Sequence, residues 1–286
     1  MKIAILCICY NSYKEFLSYY ESLRKSEKLS SFEVSIFLLD NSIILDKNRQ
    51  KKINHISNTD QNFTYHKCNN NGYLGTVQKE LNKLDFKSYK YEYISITNVD
   101  IKVEKELFSQ LEDIKIDDSI GLLAPSIINK KNINKNPKHI NKKSALKIIL
   151  NIIIFSIPLA FKFQLFVNRY INYFYKKLKK SKTINSKKHT YLMPIYCAHG
   201  SFTLFTKKGF DLIIDEEYPI FLFGEELFFA EILRTKGLKT LFAPSLKILD
   251  DEHVSTGKLG NATYCKLNRK ALIYILKRFY IRKSLI

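Results

Sequence analysis

Short apolar runs alternate with amphipathic stretches through the first 128 residues of this 286-residue chain. Residues 2–9 and 34–39 are nearly continuous apolar runs, and residues 13–28 between them place apolar side chains at helical spacing among Lys, Glu and Ser. A strand, a helix and a strand in this order predict a βαβ unit with parallel strands. The pattern continues with elements expected at about 63–67, 74–84, 91–97, 104–113 and 120–128. We therefore expect an α/β fold on an open, mostly parallel sheet with helices on both faces.

Small polar residues follow three of the predicted strands, at the sheet edge where parallel α/β folds bind ligands. They are Tyr10, Asn11, Asp40, Asn41, Asn98 and Asp100. The carboxylate of Asp100 could hold a divalent cation against a diphosphate, although an Asp at this point also serves as a helix cap. Asp40 has a similar ambiguity, because its short side chain could bond a ribose or a base edge or simply close a turn.

Gly72 follows three Asn residues, Asn69–Asn71, in a segment typical of a tight turn beside a ligand. The segment does not match Gly-x-Gly-x-x-Gly, and no Gly-x-x-x-x-Gly-Lys loop occurs in the chain. The sequence therefore offers neither of the two common phosphate-binding loops.

Two adjacent carboxylates, Glu225 and Glu226, begin an otherwise apolar helical stretch directly after Gly224. The helix dipole favours carboxylates in a first turn, which is one reason for their presence. A carboxylate among so many aromatic side chains would also have a raised pKa, as a general base for a hydroxyl needs. Because adjacent residues project about 100° apart on a helix, at most one of the two can easily face a substrate.

Two histidines stand in polar turns. His253 follows three carboxylates, and His199 precedes Gly200 and Ser201 at the end of an apolar run. A single histidine is more often a core or turn residue than a ligand, and His253 is the better candidate for a metal ion or a phosphate.

Positive charge is concentrated in two parts of the chain, whose net charge is +20. No carboxylate occurs between Asp118 and Asp211, and this stretch contains 18 Lys and Arg residues. Residues 263–286 add seven more basic side chains and no acid. Both segments are candidate contacts for phosphates or for anionic lipid.

Residues 129–190 interrupt the α/β pattern with a Lys- and Asn-rich stretch, an apolar run at 148–161 and a second Lys-rich stretch. The apolar run is shorter than the ~20 residues that span a membrane. An ordinary buried helix with a solvated basic face is one interpretation. The absence of carboxylates favours an interfacial or re-entrant helix pair, because solvated helices mix both signs of charge.

Five scattered cysteines without a Cys-x-x-Cys pair favour a reducing cytosol over a disulfide framework or a structural zinc site. No small-residue cleavage site follows the apolar run at 2–9, so we interpret this run as a strand rather than as a secretory signal.

The order of these motifs resembles glycosyltransferase family 2, the inverting enzymes with the GT-A fold, and within it the bacterial rhamnosyltransferase-like group of surface-polysaccharide biosynthesis. The resemblance covers residues 1–128 and 191–257. It is carried by Cys9-Tyr10-Asn11, Asp40-Asn41-Ser42, Asn70-Asn71-Gly72-Tyr73, Asn98-Val99-Asp100, Gly200-Ser201-Phe202, the segment from Phe221 to Glu226, and His253 with Ser255 and Thr256.

The resemblance implies a Rossmann-like, mostly parallel open sheet and the transfer of a sugar from a UDP- or dTDP-sugar to a hydroxyl of a lipid-linked oligosaccharide, in capsule, O-antigen or other surface-polysaccharide assembly. Glu226 would be the base with Glu225 as its competitor, and Asp100 with His253 would hold Mg²⁺ or Mn²⁺. The acceptor would contact His199, Gly200 and Ser201. The donor would be bound by Tyr10, Asn11, Asp40, Asn41, Asn71, Gly72, Asn98 and Asp100.

On this basis we expect a nucleotide-sugar-binding half at 1–128, a basic apolar helical insert on the membrane or acceptor side at 129–190, an acceptor and catalytic half of the same GT-A domain at 191–262, and a basic amphipathic C-terminal helix at 263–286. The expected partners are a nucleotide-diphosphate sugar, a polyprenyl-diphosphate-linked acceptor and an anionic membrane surface, with no nucleic acid. The protein would be cytoplasmic and peripheral on the inner face of the cell membrane.

Two residues depart from the family pattern. Asn98 replaces the first carboxylate of Asp-x-Asp, and Glu226 replaces an Asp.

Three other functions stay open on the sequence. A basic membrane- or nucleic-acid-binding protein without catalysis would also use the carboxylate-free stretch, although no recognition motif is present. A nucleotidyltransferase could use a similar sheet, but a Gly-rich phosphate loop would normally follow its first strand. A catalytically inactive relative would only bind a partner.

Overall fold

The computed structural model describes residues 1–44, 46–84, 86–179, 191–250 and 259–281. The chain forms two compact units. The first, here called the sheet unit, comprises Met1–Lys142 and Tyr191–Lys258, and the second, the helical unit, comprises Lys143–Thr190 and Leu259–Ile286. Residues 129–142 therefore group with the sheet, and residues 259–262 group with the C-terminal helix.

The first half of the sheet unit alternates strands and helices, as the sequence predicts. Strands β1, β2 and β4 are parallel neighbours, and β3 continues the parallel set beyond β2. The elements are β1 (Lys2–Cys9), α1 (Tyr13–Glu27), β2 (Glu33–Asp40), α2 (Lys47–Thr59), β3 (Phe63–Lys67), α3 (Leu74–Glu80), β4 (Tyr93–Asn98), β5 (Ile101–Val103), α4 (Leu107–Glu112) and β6 (Ile120–Asn129).

Helices α5 (Ala145–Ser156) and α6 (Pro158–Lys179) follow, after which the chain returns to the sheet. The remaining elements are β7 (Met193–Ile195), β8 (Phe202–Thr206), α7 (Lys207–Ile214), α8 (Glu225–Thr235), β9 (Lys239–Asp250) and α9 (Asn261–Phe279). Strand β8 lies between β4 and β6 and is antiparallel to both, whereas β9 is parallel to β6. The described sheet is therefore mixed, in the order β3-β2-β1-β4-β8-β6-β9-β5, with β7 also pairing with β9.

The core of the sheet unit lies between the sheet and its helices. Strand β1 is buried from Ile3 to Cys9, which explains why it has no polar face. Helix α1 buries Phe16, Tyr19 and Leu23 at helical spacing. Each of these side chains contributes about 1.5–3 kcal/mol of hydrophobic stabilisation.

Helix α2 and the short strand β5 lie outside the elements that the sequence predicts for the first 128 residues. Helix α2 is not predicted, because Ile53 is its one buried residue and its apolar periodicity is correspondingly weak. Strand β9 pairs with β6 on both sides of a register irregularity at Pro125 and Ser126, and it continues in this way to Asp250.

The helical unit consists of α5, α6 and α9. The rings of Phe155, Phe161 and Tyr264 pack together, with centroids 5.4 Å apart for the first two and 5.6 Å apart for the last two. Among the described helices, none alone has the length and apolar character needed to cross a membrane. Ala145–Ser156 and Leu159–Val167 meet that measure as a pair, but the chain turns by 115° between them.

Candidate active site

The register of the parallel strands brings the ends of β1, β2 and β4 level with one another. Cys9 pairs with Asp40 on β2, and Ile8 pairs with Asn98 on β4. The residues just beyond these pairs therefore share one edge of the sheet, and they include Tyr10, Asn11, Asn41 and Asp100.

Asp40 is completely buried, and other protein groups hold its carboxylate. Oδ2 accepts hydrogen bonds from the hydroxyls of Tyr13 (2.8 Å) and Tyr65 (3.0 Å) and from Nζ of Lys67 (3.1 Å). Oδ1 accepts one from the backbone N–H of Ser42 at 2.9 Å. Burial, together with the bond to Asp40, raises the pKa of the Tyr13 hydroxyl, so this hydroxyl stays protonated as a donor. Asp40 therefore holds the buried side chains at this edge of the sheet in place. Of its partners, Lys67 reaches solvent, since its side chain is 43% exposed.

Asn11 and Asn41 join neighbouring loops at this edge. Asn11 has a φ of 53°, a left-handed conformation that Asn tolerates, and its Oδ1 accepts bonds from the backbone N–H groups of Ile43 and Ile44, both at 3.0 Å. Asn41 donates from Nδ2 to the carbonyl of Gly72 at 3.0 Å. The loops after β1, β2 and β3 are thus held together by side-chain amides.

Gly72 allows a closer backbone contact than any side chain would permit. Its φ is +85°, and a Cβ at this position would lie 1.6 Å from the carbonyl oxygen of Phe221. Tyr73 donates its N–H to the same carbonyl (3.3 Å) and its hydroxyl to the carbonyl of Gly200 (2.9 Å). Oδ1 of Asn71 accepts a bond from a lysine of α3. The loop after β3 is therefore fixed against the segment that leads into α8.

The two glutamates that begin α8 have opposite environments. Oε1 of Glu226 pairs with Lys138 and accepts the N–H of Gly200 at 3.2 Å. Burial acts to raise the pKa of Glu226, but the charge and hydrogen bond of Lys138 and, in acid, the charge of protonated His199 outweigh it and lower this pKa to about 2. Glu225 is buried, its Oε1 has no hydrogen-bond partner within the described structure, and burial with the charge of Glu226 raises its pKa to about 8. At neutral pH the pair therefore carries one negative charge, on Glu226.

His199, Ser201 and Asp250 form a short chain of contacts beside Glu226. Nδ1 of His199 lies 3.0 Å from Oγ of Ser201, which donates to Oδ2 of Asp250 at 3.0 Å. Nζ of Lys135 lies 3.2 Å from the same Asp250 oxygen. Burial lowers the pKa of His199, so its ring is neutral at pH 7. The predicted acceptor residues thus lie in a polar network with a second carboxylate and a second lysine.

The buried hydroxyl of Tyr73 connects the two sides of the site. Burial raises the pKa of Tyr73, and the charges of Glu225, Glu226 and Asp100 raise it further. The hydroxyl donates to the carbonyl of Gly200, and the N–H of Gly200 donates to Oε1 of Glu226, so Tyr73, Gly200 and Glu226 form one connected network. Asp100, at the turn between β4 and β5, thus contributes to the same electrostatic environment as the two glutamates of α8.

The predicted cation ligands are only partly described. Asp100 is buried at its turn and Asn98 precedes it, whereas His253 lies outside the described residues. Carboxylate and amide oxygens are hard ligands of the kind that Mg²⁺ and Mn²⁺ take together with phosphate oxygens and water. The donor set at Asn98 and Asp100 fits such a cation.

One further group of metal-ligating side chains occurs in the described part of the chain, near the end of β3. His66, Cys68 and Glu80 place their ligand atoms within 4.8 Å of one another. Glu80 already pairs with His66 and with Lys83, each at 2.9 Å. These residues satisfy one another without an ion, so we do not assign the donor cation to them.

Sequence reasoning missed Lys135, Lys138 and Asp250. The two lysines stand in a Lys-rich stretch, and nothing local distinguishes them from their neighbours. Asp250 ends β9 as Asp40 ends β2, so the rule that polar residues at strand ends form sites could have found it.

Solved structures provide the comparison for this geometry. The chain superposes on GalNAc-T7 with UDP, GalNAc and Mn²⁺ (TM-score 0.60, 12% identity, 96% of this chain and 48% of that one). It also superposes on Staphylococcus aureus TarS 1–349 in complex with UDP-GlcNAc (TM-score 0.55, 11% identity, 99% of this chain and 69% of that one). The chain has the GT-A fold. This confirms the predicted fold class, whereas membership of glycosyltransferase family 2 or of its rhamnosyltransferase-like group stays a prediction.

The GT-A chain described here spans about half the length of the GalNAc-T7 chain (48%). Neither a protein-family model nor a curated protein matches its sequence. At 10–12% identity, the likeness to the solved structures concerns the fold.

We predict that Gly72→Ala lowers the free energy of unfolding by about 2 kcal/mol or more, because the new Cβ would overlap the carbonyl of Phe221 and φ is left-handed. Gly75→Ala is the matched control. It lies three residues away inside α3, where a Cβ would meet Cβ of Asn71 at an ordinary 3.7 Å, and it should stabilise slightly. Denaturant unfolding of both variants tests this, and equal stabilities would show that the Gly72 contact is absent.

We predict opposite pH-dependent effects for Glu225→Gln and Glu226→Gln. The pKa of Glu225 in the folded protein is about 8, above its ordinary value of 4.5. The wild-type protein therefore loses stability as the pH rises from 4.5 to about 8, because the unfolded chain releases this proton more readily than the folded protein. Glu225→Gln should therefore raise the melting temperature at pH 8–9, by roughly 5 °C. The pKa of Glu226 lies below 4.5, so its ionised form stabilises the fold above that pH, and Glu226→Gln should lower the melting temperature at neutral pH. Thermal melts from pH 5 to 9 measure both, and shifts of the same sign at pH 8 would contradict the assignment.

Proposed function

We propose that the protein transfers a sugar from a nucleoside-diphosphate sugar to a hydroxyl group of an acceptor, with inversion at the anomeric carbon. The observation that carries this proposal is the network at the carboxyl edge of a GT-A sheet in which Glu226 pairs with Lys138 and accepts the N–H of Gly200, while the carbonyl of Gly200 accepts the hydroxyl of Tyr73. The structures that share the fold were solved with UDP and Mn²⁺ and with UDP-GlcNAc, which supports a nucleotide-sugar donor here.

The donor would bind at the ends of β1, β2 and β4. Asn98 and Asp100 would hold the divalent cation, whose charge would neutralise the nucleoside diphosphate as it leaves. Asp40 would act mainly by fixing Tyr13, Tyr65 and Lys67, since its own oxygens are engaged. The remaining contacts of this pocket are assigned to Tyr10, Asn11, Asn41, Asn71 and Gly72.

Glu226 is the better of the two candidate bases. Its side chain is 17% exposed and it is ionised at neutral pH, whereas Glu225 is more deeply buried and protonated. An acceptor hydroxyl that hydrogen-bonds to Glu226 would take the place of the ammonium of Lys138, and the loss of that ion pair would raise the basicity of the carboxylate. Glu226 would then take the hydroxyl proton as the oxygen attacks.

The acceptor would lie against His199, Gly200 and Ser201, where Gly200 packs directly on Glu226. A Cβ on Gly200 would meet Cγ of Glu226 at 3.0 Å, so the absence of a side chain leaves room at the base. We propose a lipid-linked oligosaccharide of a surface polysaccharide as the acceptor. The resemblance to glycosyltransferase family 2 and the basic segments of the chain support this more specific proposal.

Calorimetric titration with UDP and with dTDP, each with and without Mn²⁺, tests the donor site. We expect one nucleotide to bind in a metal-dependent manner, and Asp100→Ala to weaken that binding at least about tenfold, because a buried carboxylate is lost from the cation site. Asp113→Ala, which changes an exposed carboxylate at the end of α4, is the matched control. Failure of both nucleotides to bind the wild-type protein would contradict a nucleotide-sugar transferase.

Turnover of the donor tests the base. Glu226→Gln should lower kcat by about 100-fold or more, in the range of general-base effects, with little change in the affinity for the nucleotide. Glu225→Gln should retain most of the activity. Released nucleotide is measured per turnover, and the anomeric configuration of the product is read by NMR. The reverse ranking of the two variants would assign the base to Glu225, and retention of configuration would exclude direct displacement.

A further inference from the structure

Nearly all of the net positive charge of the chain lies in the helical unit. Its two segments, 143–190 and 259–286, contain 18 Lys and Arg residues and no Asp or Glu. All 27 carboxylate side chains of the chain fall in the sheet unit. The part of the chain without carboxylates therefore coincides with one of the two compact units, although the segments of the two units alternate along the sequence.

Helix stability does not explain this exclusion of acids. The helix dipole favours a carboxylate in a first turn and disfavours a cation there, by about 0.3–1 kcal/mol each. Helices α5 and α9 have no acid in their first turns, and α5 carries Lys147 in its first turn. The composition of the helical unit thus opposes a local preference, which is consistent with a negatively charged partner.

The same unit exposes large apolar side chains. Ile148 and Phe161 are buried, and the rings of Phe155 and Tyr264 pack with Phe161. Outside this core, Leu146 is 74% exposed, Leu159 is 76% exposed and Phe163 is 66% exposed. Leu150, Ile153 and Phe166 are also more than half exposed. Exposed apolar side chains in this number on two consecutive helices are typical of a surface that meets a partner.

A partner for this unit must provide negative charge and an apolar phase together. Nucleic acid offers phosphates to the lysines but no apolar phase for the helices, whereas an anionic bilayer offers both. The 115° turn between the apolar stretches of α5 and α6, with Lys162 just beyond it, suits helices that lie in the membrane interface.

We propose that the helical unit is a docking module that binds an anionic lipid bilayer peripherally through the exposed apolar side chains of α5 and α6 together with Lys147 and Lys162. This goes beyond the proposed transfer reaction, and it is tested without donor or acceptor, so its outcome does not depend on catalytic activity.

Co-sedimentation of the full chain with vesicles tests the proposal. We expect binding to phosphatidylglycerol–phosphatidylcholine vesicles at physiological salt and at least about tenfold weaker binding to pure phosphatidylcholine. Binding to the anionic vesicles should fall as salt rises but should not vanish, because the apolar contribution is not screened. Equal binding to both kinds of vesicle, or none to either, would overturn the proposal.

Two pairs of variants separate the apolar contribution from the electrostatic one. Phe163→Ser/Phe166→Ser should weaken vesicle binding at least about tenfold, because it removes two exposed rings that would otherwise be buried in the bilayer. Its control is Tyr89→Ser/Ile133→Ser, which changes side chains that are equally exposed but belong to the sheet unit. Lys147→Gln/Lys162→Gln should weaken binding about tenfold, at about 1 kcal/mol per lysine. Lys105→Gln/Lys115→Gln on the sheet unit is its control and should have little effect.

Poly(U) RNA provides the competing probe. The partner is nucleic acid, and the proposal is wrong, if the RNA displaces the protein from the vesicles and salt abolishes RNA binding completely. In that case Phe163→Ser/Phe166→Ser should leave the affinity for RNA unchanged. If vesicle binding by the Phe variants equals that of the wild-type protein while circular dichroism shows both folded, the exposed apolar face is not the docking surface and the proposal is equally overturned.

Discussion

Parallel pairing of β1 with β2 and β4 is the constraint on which the candidate site depends. Because Cys9 is level with Asp40, and Ile8 is level with Asn98, each chain segment that leaves these strands begins at the same edge. The strand register alone therefore brings polar residues that are distant in sequence close together. The antiparallel strand β8 then continues the sheet on the other side of β4 and delivers Gly200 and Ser201 to the same edge.

The charges near this edge of the sheet belong to residues outside the parallel strands, on α8 and in the segment that follows β6. Glu225 and Glu226 are adjacent on one helix, yet their pKa values move in opposite directions, to about 8 and about 2. Lys138 makes the difference, since its ammonium reaches Glu226 while Oε1 of Glu225 has no hydrogen-bond partner in the described structure. A glutamate pair of this kind keeps one charge and one proton in a small volume, because its two members differ in their environments.

The fold could be predicted from the sequence to the extent that the signals are local. Apolar runs such as 2–9 and 34–39 identify central strands, and the polar residues that end them identify the ligand edge. Helix α2 escapes prediction because one buried side chain, Ile53, leaves little periodicity. Lys138 and Lys135 escape because their roles depend on carboxylates 88 residues away in the first case and far along the chain in the second. The two-unit division escapes for the same reason, since its second unit joins two segments that residues 191–258 of the sheet unit separate.

The composition of the helical unit from two separate segments also affects how the chain is made. Helix α9 packs with α5 and α6, but it leaves the ribosome about 100 residues after them, a delay of roughly 5–20 s at ordinary rates of synthesis. During that interval the rings of Phe155 and Phe161 can pack on each other but lack the ring of Tyr264 that completes their cluster. The core of the helical unit is therefore completed only when α9 has been made, and the order of its segments delays the folding of this unit relative to the synthesis of its first two helices.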